Sequence, residues 1–151
     1  MANKSKKTWC FYCVFIVFLW VWQLPQHILA LILYVLFKIS GKILILARHE
    51  GKWLITVDVP GWGVSLGQYV LMDKAYNQCD WRHEYGHSIQ SLYWGSLYLL
   101  TIGIPSALFN NLWDRIAHIN WTVQQRHKWY YNRWPEKQAD RLGGVTRVWE
   151  N

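Results

Sequence analysis

A chain of 151 residues with 52% hydrophobic residues, 12 Trp and 9 Tyr against 5 Phe has room for a single core and leaves no length for two independent soluble domains. Its formal net charge of +7 sits beside apolar stretches, at Lys4, Lys6 and Lys7 and again at Lys38 and Lys42. That pattern suits an anionic membrane surface and argues against nucleic acid, which calls for a polar basic tract interleaved with stacking aromatics. Three cysteines, Cys10, Cys13 and Cys79, make an odd count with two of them in apolar sequence, which argues against a disulfide framework.

Residues 9–22 are almost unbroken apolar, Gln23, Pro25, Gln26 and His27 interrupt them, and residues 28–37 are apolar again. Neither arm reaches the ~20 residues a straight bilayer span needs. Together they predict either one tilted membrane helix kinked at Pro25 or a re-entrant helical hairpin turning at residues 23–27. The Trp and Tyr excess fits the same setting, since these amphipathic rings favour the membrane–water interface. Residues 1–38 therefore form the expected anchoring segment, and residues 39–151 the remaining domain.

From Ser40 the pattern turns to β. Residues 42–48 and 52–59 are rich in Ile, Leu and Val around His49, Glu50 and Gly51, as a hairpin requires. Residues 64–72 predict a third strand after the Pro60–Gly63 break, giving a small sheet of about three strands. Asp80 is placed to cap a helix running through Trp94, with Gly95 to end it. Residues 97–109 are apolar but too short to span, and form a candidate second membrane-associated segment. The spacing of Leu108, Leu112, Ile116 and Ile119 predicts one long amphipathic helix over residues 106–133. Pro135 suits the first turn of a last helix that Gly143 and Gly144 stop. The expected class is α+β.

The predicted helix beginning at Asp80 contains His83-Glu84-Tyr85-Gly86-His87, an H-E-x-x-H motif. Positions i and i+4 lie only ~40° apart around a helix, so both imidazoles project from one face and can bind one zinc ion, with Glu84 beside them as a general base. Downstream, Glu136 and Asp140 again stand at i and i+4 on a predicted helix. One of these carboxylates can complete a two-His, one-carboxylate site while the other orients a ligand imidazole.

The motif His83-Glu84-x-x-His87, followed 49 residues after His87 by Glu136-x-x-Ala139-Asp140, resembles the gluzincin metallopeptidases. It is most similar to their membrane-bound group of prenyl-protein and heat-shock endopeptidases. The stretches Ile102-Gly103-Ile104-Pro105-Ser106 and Leu142-Gly143-Gly144 also resemble small bacterial membrane proteins of no assigned function. The resemblance implies that Glu136 is the third ligand and Asp140 its neighbour behind His83 or His87. It also implies a minimal zincin-like fold, Zn2+ as cofactor, peptide or protein substrates, and a place in the bacterial inner membrane with the lipid bilayer as partner. Stabilising the oxyanion of such a reaction needs a further donor, for which Tyr130, Tyr131, His127 and Arg141 are the candidates. The competing expectations are a non-catalytic membrane protein stapled by a structural metal, and a module that binds lipid through its basic amphipathic helix.

Overall fold

The structure, a computed structural model, describes residues 14–149. The basic start, Trp9, Cys10 and Cys13 lie outside the described residues. Helix α1 (Val14–Trp22) and helix α2 (Leu24–Ile39) meet at an angle of 77°. The break is the single residue Gln23, because Pro25 falls in the first turn of α2, where its missing N–H and its ring prevent α1 from continuing straight through. Pro25, Gln26 and His27 belong to α2, and by length and composition the bent pair fits a broken span or a re-entrant loop alike. Among the described residues no single helix is long and apolar enough to cross a membrane.

Helix α2 packs Leu29, Leu33, Tyr34 and Phe37 against the core and leaves a second apolar face uncovered. Gln26, His27 and Ala30 are buried, as is Gln23 before them, while Leu24, Ile28, Leu31, Ile32, Val35 and Leu36 are 43–62% exposed.

Strands β1 (Ile43–His49) and β2 (Lys52–Val57) form an antiparallel hairpin. Its turn residues Glu50 and Gly51 both have positive φ, 45° and 81°, as a two-residue hairpin turn with the strands' own twist requires. The expected third strand is in fact two, β3 (Gly63–Leu66) and β4 (Tyr69–Asp73), folded back on each other at Gly67 and Gln68. Gly67 makes this turn at φ 67°, with the His27 ring where a side chain would stand. The mixed sheet has the order β1-β2-β4-β3, with β2 and β4 parallel, so β3 is an edge. Alternate side chains face opposite ways. Ile55, Val57, Leu66 and Leu71 pack with Ala30 of α2, while Leu54, Val70 and Met72 pack with Trp81 on the other side.

Helix α3 (Gln78–Trp94) carries Trp81 and ends at Gly95. Its N-cap is Asn77, whose side chain accepts from the Asp80 N–H while the Asp80 carboxylate accepts from the Asn77 N–H. Asp80 is thus the third residue of a capping box, where its charge also favours the helix dipole. Beyond a 120° bend come π-helical stretches (Leu99–Gly103 and Pro105–Leu112) and helix α4 (Trp113–Ala117). The single long helix expected over 106–133 is interrupted here. Thr122 and Gln125 form a second capping box that opens a separate helix α5 (Val123–Tyr131). Helix α6 (Glu136–Gly143) follows Pro135, which sits at its N-cap, and closes on Gly144 in the left-handed region.

The two bends are bonded to each other. Trp22 Nε1 donates to the Leu92 carbonyl at 2.8 Å, Ser96 Oγ to the Trp22 carbonyl at 3.1 Å, and Gln23 Nε2 to Ser91 Oγ at 2.8 Å. Gln26 Nε2 donates to the Gly95 carbonyl. Backbone groups released by the breaks are therefore satisfied by protein rather than water. Helices α3 and α6 lie in contact through small residues: a Cβ on Gly86 would overlap the Ala139 carbonyl, and one on Gly143 the Arg82 carbonyl.

Candidate metal centre

Helix α3 presents His83 and His87 on one face, and the close approach of α6 brings Glu136 opposite them. His83 Nε2 lies 3.2 Å from His87 Nε2, and Glu136 Oε2 lies 3.2 Å from the first and 3.0 Å from the second. All three residues are buried. Ligand atoms ~2.0–2.1 Å from a tetrahedral ion stand roughly 3.3–3.4 Å apart, so the triangle is within a few tenths of an ångström of one that an ion would hold.

The protons support the same reading. His83 Nδ1 donates to Asp140 Oδ1 and His87 Nδ1 to Gln90 Oε1, each at 2.7 Å. The amide of Gln90 is oriented by its own donations to the Pro135 carbonyl at 3.0 Å and to Gln138 Oε1 at 2.9 Å. With Nδ1 protonated, each neutral imidazole turns its Nε2 lone pair towards the other and towards a carboxylate. Such an arrangement is repulsive without a cation between them. Glu136 Oε1 is buried with no hydrogen-bond partner. The cluster can hold a metal ion.

Protons compete for the same atoms. In the metal-free protein burial lowers the pKa of His83, but hydrogen bonds to Asp140 and Glu136 and the nearby Glu84 charge outweigh it and raise the pKa to about 9. Burial acts to raise Glu136, yet the two imidazoles hold it far below the usual carboxylate range. Asp140 is likewise depressed, against burial, by His83 and Arg147.

Arg147 clamps Asp140 from behind, with Nε donating to Oδ2 at 2.7 Å and Nη2 to Oδ1 at 2.9 Å. Its guanidinium lies 3.4 Å over the centre of the Tyr131 ring. The edge strand β3 meets the site from the other side. Ser65 Oγ lies 2.7 Å from Glu84 Oε2 and 2.6 Å from the Glu84 carbonyl, so its one proton serves either. The Tyr98 hydroxyl donates to the Ser65 carbonyl at 3.0 Å. Gly63 leaves room for the Glu84 carboxylate, whose Oε1 would stand 2.8 Å from a Cβ there.

A cavity of about 430 Å³ opens over His83 and Glu84, and His127, Tyr130 and Tyr131 line it. Burial pushes Tyr130 well above the ordinary phenol range and Tyr131 up to about 12, so both hydroxyls stay protonated as donors. Arg141 lies elsewhere, in a separate recess with Lys137 and Arg147. Of the remaining histidines, His27 accepts from the Gln68 N–H at 3.3 Å, His49 packs edge-on against Trp81, and His118 donates to Asp114 at 2.9 Å.

Sequence reasoning did not single out Ser65, Gln90 or Arg147 for roles at the site. Only Gln90 carried a local signal, standing three residues after His87 on the same helix. No protein-family model matches the chain, and comparison with curated proteins and with solved structures finds no match.

Proposed function

We propose that the chain is a membrane-associated zinc metallopeptidase. The observation that carries this reading is the buried three-donor cluster reaching a cavity through His83, with Glu84 beside it on the cavity wall. Among the described residues no fourth Cys, His, Asp or Glu joins the group, whereas a structural zinc site is ordinarily closed by a fourth protein ligand. His83, His87 and Glu136 would hold the ion, Nε2, Nε2 and Oε2 being a donor set that suits zinc. Zinc bound there supplies a Lewis acid and a water acidic enough to ionise near neutral pH.

The chain's own residues complete the chemistry. Glu84 takes the proton of the attacking water and passes it to the leaving amine as the C–N bond breaks. Ser65 positions the Glu84 carboxylate. Tyr130, Tyr131 and His127 are the donors on the cavity wall suited to the developing oxyanion; Arg141, in its separate recess, is not among them. The outer edge of β3 at Gly63 and Val64, beside Glu84, offers backbone groups to which an extended peptide can add.

Membrane association is supported by the exposed apolar face of α2 and by the exposed Leu97, Leu100, Ile104, Leu108, Phe109 and Leu112 beyond α3. A helix with a continuous uncovered face of Leu, Ile and Val beside a buried one is suited to an apolar surrounding.

The test is Glu84→Gln in the full chain, assayed against a peptide library. Metal content and folding are expected to survive while cleavage falls by roughly 10²–10⁴-fold, the usual contribution of a general base. A Gln variant that cleaves as fast as the parent, on a substrate whose cleavage needs zinc, sinks the mechanism.

A further inference from the structure

The cavity over Glu84 is one arm of a longer cleft. A second recess of about 300 Å³ shares Gly61, Gly63, His83, Glu84, His127 and Tyr131 with the first, so both open from the same floor. The first arm runs towards α4 and α5 and is lined by Arg115, Arg126 and Asp114, a net positive set. The second runs towards the β4–α3 connection and is lined by Asp73 and Asp80, with no Lys or Arg.

Of the two arginines, Arg126 is neutralised where it stands and Arg115 is not. Asp114 pairs with Arg126 at 2.8 Å and with His118 at 2.9 Å. Arg115 donates to the neutral Asn111 Oδ1 at 2.9 Å and has no carboxylate partner among the described residues. Across the cleft, Asp73 accepts from the Gly61 N–H at 2.9 Å and Asp80 from the Asn77 N–H at 3.1 Å. Backbone donors orient a carboxylate but leave its net charge in place. A cleft with opposite signs at its two ends and the reacting groups between them favours one orientation of a dipolar ligand.

Resting on the peptidase reading, we infer that the cleft selects peptides whose charge is polarised about the scissile bond. A carboxylate lies in the Arg115 arm and a cationic side chain in the Asp73–Asp80 arm. The carboxylate is that of an acidic side chain or of a peptide C-terminus.

The experiment uses the zinc-loaded full chain and three peptides sharing one neutral core: acidic then basic flanks, the reverse, and neutral flanks. Each is made as free acid and as amide, and kcat/KM is measured at low and high salt. One polarised peptide is expected to exceed its reverse by about 1.5- to 5-fold per arm, the scale of a partly screened ion pair. The ratio should shrink with salt. It should fall towards one in Arg115→Gln and in Asp80→Asn, the latter keeping the capping box, and stay unchanged in the charge-matched control Lys137→Gln. A preference that survives amidation assigns the carboxylate to a side chain; one that amidation removes assigns it to the terminus. Equal rates for the two orientations at low salt overturn the inference. If no peptide is cleaved, binding of the same peptides decides. An orientation preference in affinity keeps the polarised cleft and removes the peptidase, whereas equal affinities remove the cleft.

Discussion

Asp140 accepts the Nδ1–H of His83 at 2.7 Å, a bond that runs from α6 to α3 and fixes which nitrogen of the ring faces Glu136. Gln90 does the same for His87 from within α3. Asp140→Asn and Gln90→Leu should each lower zinc affinity by about 10–100-fold, as loss of a ligand's orienting partner does. His83→Ala and Glu136→Ala should abolish stoichiometric binding. Competition with a calibrated chelator measures all four. Unchanged affinity in both orienting variants would mean that the imidazoles are held by packing alone.

The metal-free protein should lose stability as pH rises from 6.5 to 9. His83 has a folded-state pKa of about 9, above its unfolded value near 6.5. Its contribution is complete below the lower value and disappears as pH climbs through the higher one, for a loss of up to about 3 kcal/mol. Glu136 works in the opposite sense, its depressed carboxylate contributing above the ordinary Glu range and losing that contribution on acidification. Urea unfolding with excess chelator, taken between about pH 5.5 and 9.5, reads this slope. Zinc affinity should rise over the same interval as the competing proton leaves.

Gly86→Ala tests the contact of α3 with α6. The added methyl meets the Ala139 carbonyl, and backbone in a packed helix has little room to yield. A destabilisation of about 3 kcal/mol or more is expected, together with weaker metal binding as Glu136 is carried away. Gly103→Ala is the contrast: a Cβ there makes only ordinary contacts, the nearest at 3.7 Å, and helix propensity favours alanine by about 1 kcal/mol. Paired unfolding curves give the answer, and equal effects at the two positions would contradict the close approach.

The outward face of α2 should carry the attachment to lipid. Leu31 and Leu36 are 62% and 57% exposed, so replacing both with Lys should alter folding by less than about 1 kcal/mol. If they enter the bilayer, the pair withdraws roughly 3–6 kcal/mol of apolar burial from it. Vesicle flotation should then lose the double variant. Flotation equal to the parent would leave the segment an exposed face with some other partner.

What could be read from the amino acids follows from which features are local. The i, i+4 spacing of His83 with His87 and of Glu136 with Asp140 needs only helix geometry, and those four residues do meet. Whether Glu136 or Asp140 faced the imidazole Nε2 atoms was open on spacing alone, and the packing of α6 decides it. Ser65 and Arg147 act across the fold, from an edge strand and an irregular C-terminal stretch, and no periodicity marks them, whereas Gln90 stands at i+3 from His87 on the same helix. Two boundaries were misread for local reasons. Gly67-Gln68 inside an apolar run is a turn, and Thr122-x-x-Gln125 is a helix start hidden in what looked like continuous amphipathic sequence.

The close approach of α3 and α6 also changes what counts as the motif. On α6 the buried residues are Glu136, Ala139, Asp140 and Gly143, spaced i, i+3, i+4 and i+7 along a single helix face. That face is composed for nearness and for ligation, without one large apolar side chain. The residue before His87 is constrained as tightly as the histidine itself, because only hydrogen fits there. A chain sharing this architecture would carry H-E-x-G-H and, further on, E-x-x-A-D-x-x-G, with a small residue permitted at the alanine. Searching with that longer string would separate chains that can bring a third ligand to the two histidines from the many in which H-E-x-x-H arises by accident.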